Sequence, residues 1–145
     1  FTHISYDDFR IIRDNLLLGK ATTSQRLVPY VVFIDPQLGR VGITENEAKE
    51  RGLKYRVAKM AMDYISRAWE MGETRGLIKA IVDAETGQIL GAAVLGVEGG
   101  ELMAILEVAM LGKLHYEVLR EAIFSHPTLS EGINTLFTQF QAEPA

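Results

Sequence analysis

In Ser125-His126-Pro127-Thr128-Leu129-Ser130-Glu131 an imidazole precedes a proline and a carboxylate follows shortly after. Proline crowds the residue before it out of the helical region, so His126 is expected in an extended conformation. A helix can then start at about Thr128. That sets the imidazole at the mouth of a helix, with Glu131 one turn inside. A carboxylate bonded to one ring nitrogen fixes the tautomer and favours the protonated ring, which leaves the other nitrogen for proton transfer. The same residues carry a second meaning. Thr128 and Glu131 have the spacing of a capping box, in which Glu131 serves only the helix start and His126 is a loop residue. The two roles compete for one carboxylate, and the spacing allows a share in each.

Other candidates are thinner. His3 and His115 have no HxxxH or HxH partner, so no metal site is expected. The chain has no cysteine, which excludes a disulfide framework, a zinc-thiolate site and a thiol nucleophile within it. Gly96, Gly99 and Gly100 surround Glu98, but the spacing is not GxGxxG and no phosphate-loop lysine follows. They read as a tight strand-to-helix turn. Met60, Met62, Met103 and Met110 read as core filler.

The elements that must position these residues follow from periodicity. Ser5 to Leu18 predicts a helix, with Phe9, Ile12 and Leu16 at helical spacing and Gly19 as its stop. Lys20 to Arg26 is polar and reads as a linker. Pro29 to Asp35 predicts a buried strand. Thr44 and Glu47 form a capping box for a helix ending near Gly52. Tyr55 to Met62 predicts a second strand, and Asp63 to Thr74 a helical turn and loop. Gly76 to Val82 and Ile89 to Leu95 flank a short Gly-containing loop, the signal of a hairpin. Glu101 to Gly112 is apolar nearly all round, so its helix should be buried on more than one side. Two more helices are expected, at about His115 to Ala122 and Ser130 to Phe140. Strands neighbour strands, so the class is α+β with a mainly antiparallel sheet.

The chain has 145 residues, of which 48% are hydrophobic and 23% charged, an ordinary balance for a globular domain. A net charge of −4 argues against nucleic acid or an anionic membrane as the main partner. No apolar run approaches a membrane span. No signal peptide is read at Phe1-Thr2-His3, and a cytoplasmic location is expected.

From Val28 to Phe140 the chain resembles the C-terminal dimerisation domain of the FAD-dependent pyridine nucleotide–disulfide oxidoreductases. That family includes dihydrolipoamide dehydrogenase, glutathione reductase, mercuric reductase and the reactive-chlorine-resistance flavoproteins. IDPQLGRVGITENEAKERG, RGLIKAIVDAETGQILGAAVLG, GGELMAILEVAMLGKL and SHPTLSEGINTLF carry the match, in the family's order and spacing. FTHISYDDFRIIRDNL looks like the last helix of the FAD domain.

The resemblance implies a division at residues 1–26, a helix and linker of the FAD domain, and 27–145, the dimerisation domain. It implies a homodimer in which His126 acts as acid/base on the partner subunit's active site and Glu131 orients it. Thr2, His3, His126 and Pro127 would lie near FAD, only in the full-length dimer. FAD, NAD(P)H and a redox-active cysteine pair would belong to domains of a parent chain absent here. The chain therefore reads as a fragment that is inactive alone and holds no cofactor. Mercuric reductase proper ends in a cysteine pair, whereas this tail reads Gln141-Ala142-Glu143-Pro144-Ala145, which speaks against mercuric ion reduction unless the tail is truncated. The rival reading is a non-catalytic homodimerisation or scaffold module, separable by whether the reading frame continues upstream into a nucleotide-binding motif and a cysteine pair.

Overall fold

The computed structural model describes residues 1–19 and 26–141. Most of the expected linker and all but the first residue of the tail lie outside them. Five strands form one antiparallel sheet in the order β1-β2-β5-β4-β3. They are β1 (Tyr30–Val32), β2 (Leu38–Gly42), β3 (Tyr55–Ala61), β4 (Leu77–Asp83) and β5 (Ile89–Leu95). The helices are α1 (Thr2–Leu18), α2 (Glu45–Glu50), α3 (Ser66–Glu70), α4 (Gly99–Leu111), α5 (Tyr116–Glu121) and α6 (Gly132–Leu136). The α+β class and the hairpin β4–β5 stand as read. A 3₁₀ turn at Met62–Tyr64 and α3 occupy the stretch read as turn and loop.

Alternation along the strands builds the core. Val41, Ala58, Met60, Ile78, Ala80, Val82, Ala92 and Val94 are buried together. Onto β2 and β5 lies α4, which buries Leu102, Met103, Leu106 and Ala109. Fully burying a side chain such as Leu106 contributes about 1.5–3 kcal/mol. Its opposite side, with Val108 and Leu111, is exposed in the single chain. So the all-round apolar helix is buried on one side only within this chain.

The capping box at Thr44 forms as read. The Thr44 N–H donates to Glu47 Oε2 at 2.7 Å, and the Glu47 N–H donates to Thr44 Oγ1 at 3.0 Å. These bonds, the one to the Thr44 backbone first, hold the Glu47 carboxyl below its usual pKa.

Three expectations need correction. The strand read as Pro29 to Asp35 is only three residues long and sits at the sheet edge, with Phe33 83% exposed. Its neighbour β2 was not expected, because glycines at 39 and 42 weaken a strand signal. Gly39 is needed there, since a Cβ would lie 2.5 Å from the Gly99 carbonyl oxygen at the start of α4. The last helix covers Gly132–Leu136 rather than Ser130 to Phe140. Past Phe137 the chain turns to the open edge of β3 and bridges Phe140 to Ala58. An edge strand presents unpaired N–H and C=O groups with which a following segment can pair. The Lys59 N–H donates to Gln139 O and the Gln141 N–H to Val57 O. Arg56 stacks 3.8 Å over the Phe140 ring.

Candidate functional site: a histidine held by a glutamate

Glu131 reaches back over the turn to His126. Its two carboxylate oxygens lie 3.0 and 2.9 Å from His126 Nδ1. The same carboxylate accepts a bond from the Thr128 N–H at 3.2 Å, and the Glu131 N–H donates to Thr128 Oγ1 at 3.3 Å. The Glu131 carboxylate is therefore shared: it exchanges the reciprocal bonds of a capping box with Thr128, at a turn ahead of α6 rather than on its first residues, and it holds the imidazole. The expected helix start at Thr128 is displaced to Gly132. The turn before it carries the tighter bonds Gly132 N–H to Leu129 O and Ile133 N–H to Ser130 O, each spanning three residues. The His126–Pro127 peptide bond is cis.

The pair is asymmetric toward solvent. The His126 side chain is 69% exposed and that of Glu131 is 24% exposed. Glu131 fixes the Nδ1 side of the ring, so Nε2 is the nitrogen left to face a reacting group. No described residue is bonded to it. A carboxylate on one ring nitrogen and an open second nitrogen is an arrangement capable of proton transfer.

Thr2 and His3 lie in a different place. They open α1, where Phe1 stands at the N-cap without a side-chain bond and no acidic residue occupies the first turn. His3 Nε2 contacts the Pro29 carbonyl oxygen at 2.8 Å, and Phe1 stacks on His3 with centroids 5.3 Å apart. Thr2 and His3 line a cleft of about 380 Å³ with Tyr30, Phe33 and Glu107. Pro127 lines another, of about 340 Å³, between α3, α4 and the His126 loop. Within one chain the structure joins His126 to Glu131 and keeps Thr2 and His3 in a separate cleft.

His115 occupies the N-cap position of α5 and makes no side-chain cap bond. Among the described residues no three His, Asp or Glu side chains gather as a metal would need. None of the described helices is long and apolar enough to cross a membrane. Gly96, Gly99 and Gly100 form the strand-to-helix turn, with Glu98 in the left-handed region at φ 52°.

The sequence profile of the pyridine nucleotide-disulphide oxidoreductase dimerisation domain matches residues 28–137. The chain belongs to that family. This dimerisation domain is 47% identical over 140 residues to the probable pyridine nucleotide-disulfide oxidoreductase RclA of Escherichia coli, covering 95% of this chain and 32% of that protein. It is 28% identical over 144 residues to mercuric reductase of Staphylococcus aureus, covering 99% of this chain and 26% of that one. The solved structure of the HOCl-induced flavoprotein disulfide reductase RclA from Escherichia coli superposes with a TM-score of 0.89, at 47% identity, over 95% of this chain and 32% of the other. The chain thus spans about a third or less of the length of these relatives.

Sequence reasoning missed two residues near the site. Asn134 interrupts the apolar stripe of α6 and donates into α5. Glu107 on α4 faces the cleft of His3. Burial raises its carboxyl pKa, and His3 partly offsets that. An asparagine within a short helix is a weak helix former, and that was the available signal for Asn134.

Proposed function

We propose that this chain is the dimerisation domain of an FAD-dependent NAD(P)H:disulfide oxidoreductase and lends His126 and Glu131 to the active site of a partner subunit. The observation that carries the reading is the Glu131 carboxylate on His126 Nδ1, with the rest of the ring exposed. In the assembled enzyme the protonated His126 donates its Nε2 proton to the sulfur that leaves as the substrate disulfide is cleaved. In the reverse direction neutral His126 takes the proton from a thiol at the same nitrogen. Glu131 keeps the Nδ1 proton on its own side of the ring and stabilises the imidazolium.

Residues 1–26 go with an FAD domain of a longer parent and 27–145 with the dimerisation domain. The assignment is supported by α1, which buries none of its residues although Phe9, Ile12 and Leu16 form an apolar stripe. The uncapped, acid-free start of α1 fits one electron-rich edge of FAD, because free N–H groups and the helix dipole favour negative charge. Thr2 and His3 would hold that edge, and His126 and Pro127 would approach FAD from the partner subunit. Bound FAD supplies the electron relay between NAD(P)H and the disulfide. The described residues do not fit NAD(P)H. At the glycine turn a Cβ on Gly99 would already lie 2.8 Å from Val94 O and 2.9 Å from Gln37 O, which leaves no room for a pyrophosphate. That site is assigned to a further domain of the parent, in a soluble cytoplasmic homodimer. The chain alone is inactive in this reading.

The test is His126→Ala in the flavin-containing parent, with the half-reactions separated by stopped flow. Disulfide turnover should fall by about 10²–10⁴-fold, the contribution typical of a positioned acid/base group. Flavin reduction by NAD(P)H should stay near wild type. Equal slowing of both half-reactions would overturn the assignment.

A further inference from the structure

The segment that carries His126 leaves α5 without a cap of its own. At Ala122 the chain is extended, at φ −64° and ψ 146°, so it does not fold back over the last carbonyls of that helix. Such carbonyls need partners from elsewhere. Asn134 provides them. Its Nδ2 donates to Leu119 O at 2.6 Å, Ala122 O at 3.0 Å and Arg120 O at 3.2 Å. An amide has two N–H groups, so one bond is shared.

Asn134 stands three residues beyond Glu131, on the adjacent turn. The start of α6 therefore does two jobs. Glu131 at its mouth holds the imidazole, and Asn134 within it fixes the place where the imidazole's own segment begins. Between them the path from Ala122 to His126 is pinned once more, where Thr128 Oγ1 donates to Ser125 O at 2.7 Å. Phe124 packs against the core, while Ile123 is fully exposed.

We propose that Asn134 is a positioning residue for His126: by capping α5 from α6 it sets the distance at which the imidazole meets Glu131. This rests on the acid/base reading for its relevance to catalysis, but the geometry can be tested without turnover. In the neutral ring the Nδ1–H tautomer is favoured as long as Nδ1 donates to Glu131. Nitrogen-15 NMR of the chain reads the tautomer ratio of each histidine, with His126 assigned through His126→Gln and His3 as the internal reference.

Asn134→Leu removes the donors at similar volume. It should lower the Nδ1–H to Nε2–H ratio of His126 by at least about twofold, as expected when a hydrogen bond of ordinary strength is weakened. The ratio of His3 should not move. Asn134→Gln, which keeps an amide donor, should shift the His126 ratio less. If Asn134→Leu does not fold, Asn134→Ser gives the same readout, because its hydroxyl is too short to reach all three carbonyls. An unchanged His126 ratio in a folded variant overturns the role of Asn134, even if His126 proves essential. A lowered ratio supports it, even if His126→Ala leaves turnover intact, and that second result sinks only the acid/base reading.

Discussion

Gly132 sits so close to Ile65 that a Cβ on the glycine would lie 2.4 Å from Ile65 Cδ1 and 2.7 Å from its Cγ1. Ile65 is fully buried ahead of α3, and Gly132 directly follows Glu131. The first turn of α6, and with it the carboxylate that holds His126, is seated on the core through this contact. Gly132→Ala should destabilise the chain by about 1–3 kcal/mol, the usual cost of overpacking a filled core. Ile65→Val alone should cost about 0.5–1.5 kcal/mol. The double variant should be more stable than the sum of the two predicts, because removing Cδ1 relieves the nearer of the two close approaches, leaving only the one to Cγ1. Urea denaturation of the four proteins measures the coupling. Strict additivity would show that the seat is not shared.

Glu107 gives a pH-dependent prediction with an unusual sign. Burial raises its carboxyl pKa in the folded chain, an effect partly countered by His3. For a raised folded pKa the stabilising contribution is complete below the ordinary glutamate value and is lost as pH rises through the folded value. Glu107→Gln should therefore be more stable than the wild type at neutral pH. The advantage should shrink as pH falls through the raised folded value and be gone below the ordinary glutamate value. Thermal melts across that range would check it, and a variant that is less stable at neutral pH would contradict the burial argument.

The exposed side of α4 should form the homodimer contact. Val108 is 67% exposed, and an open groove of Ala104, Ile105, Leu114, Leu119 and Phe124 lies beside it. Contiguous exposed apolar surface of this kind marks interfaces. Obligate interfaces of this type bury upwards of about 2,000 Å². Val108→Glu should convert the dimer to monomer in light scattering at high micromolar concentration, whereas Lys54→Glu, on the remote β3 side, should not. A wild-type chain that stays monomeric under those conditions would remove the basis for this interface.

The parts of this molecule that sequence made legible are those set by local rules. The hairpin of β4 and β5 followed from two apolar runs around a glycine loop. The cap at Thr44 followed from one four-residue pattern. The proline and the spacing left the His126–Glu131 pair as one of two readings, and the family resemblance is what favoured it. Tertiary contacts decided what was not legible. β2 has weak strand residues because α4 needs Gly39 beneath it. The last helix stops early because the free edge of β3 takes Phe140. Asn134 gave only a weak signal, since its acceptors come from another helix. The sharing of Glu131 between cap and imidazole could be raised as a possibility from spacing, but only coordinates could place both bonds on one carboxylate.

The most direct test of the central claim is complementation between subunits. In the proposed parent a His126→Ala subunit would keep the redox cysteines of its own chain, and a second subunit with those cysteines changed to serine would keep its His126. Each homodimer should be inactive or nearly so in disulfide turnover. Co-expressed under two affinity tags and purified through both, the heterodimer should recover disulfide reduction. One of its active sites then combines intact cysteines from one subunit with His126 from the other. A heterodimer as inactive as both parents would contradict the account, because it would mean that His126 serves its own subunit.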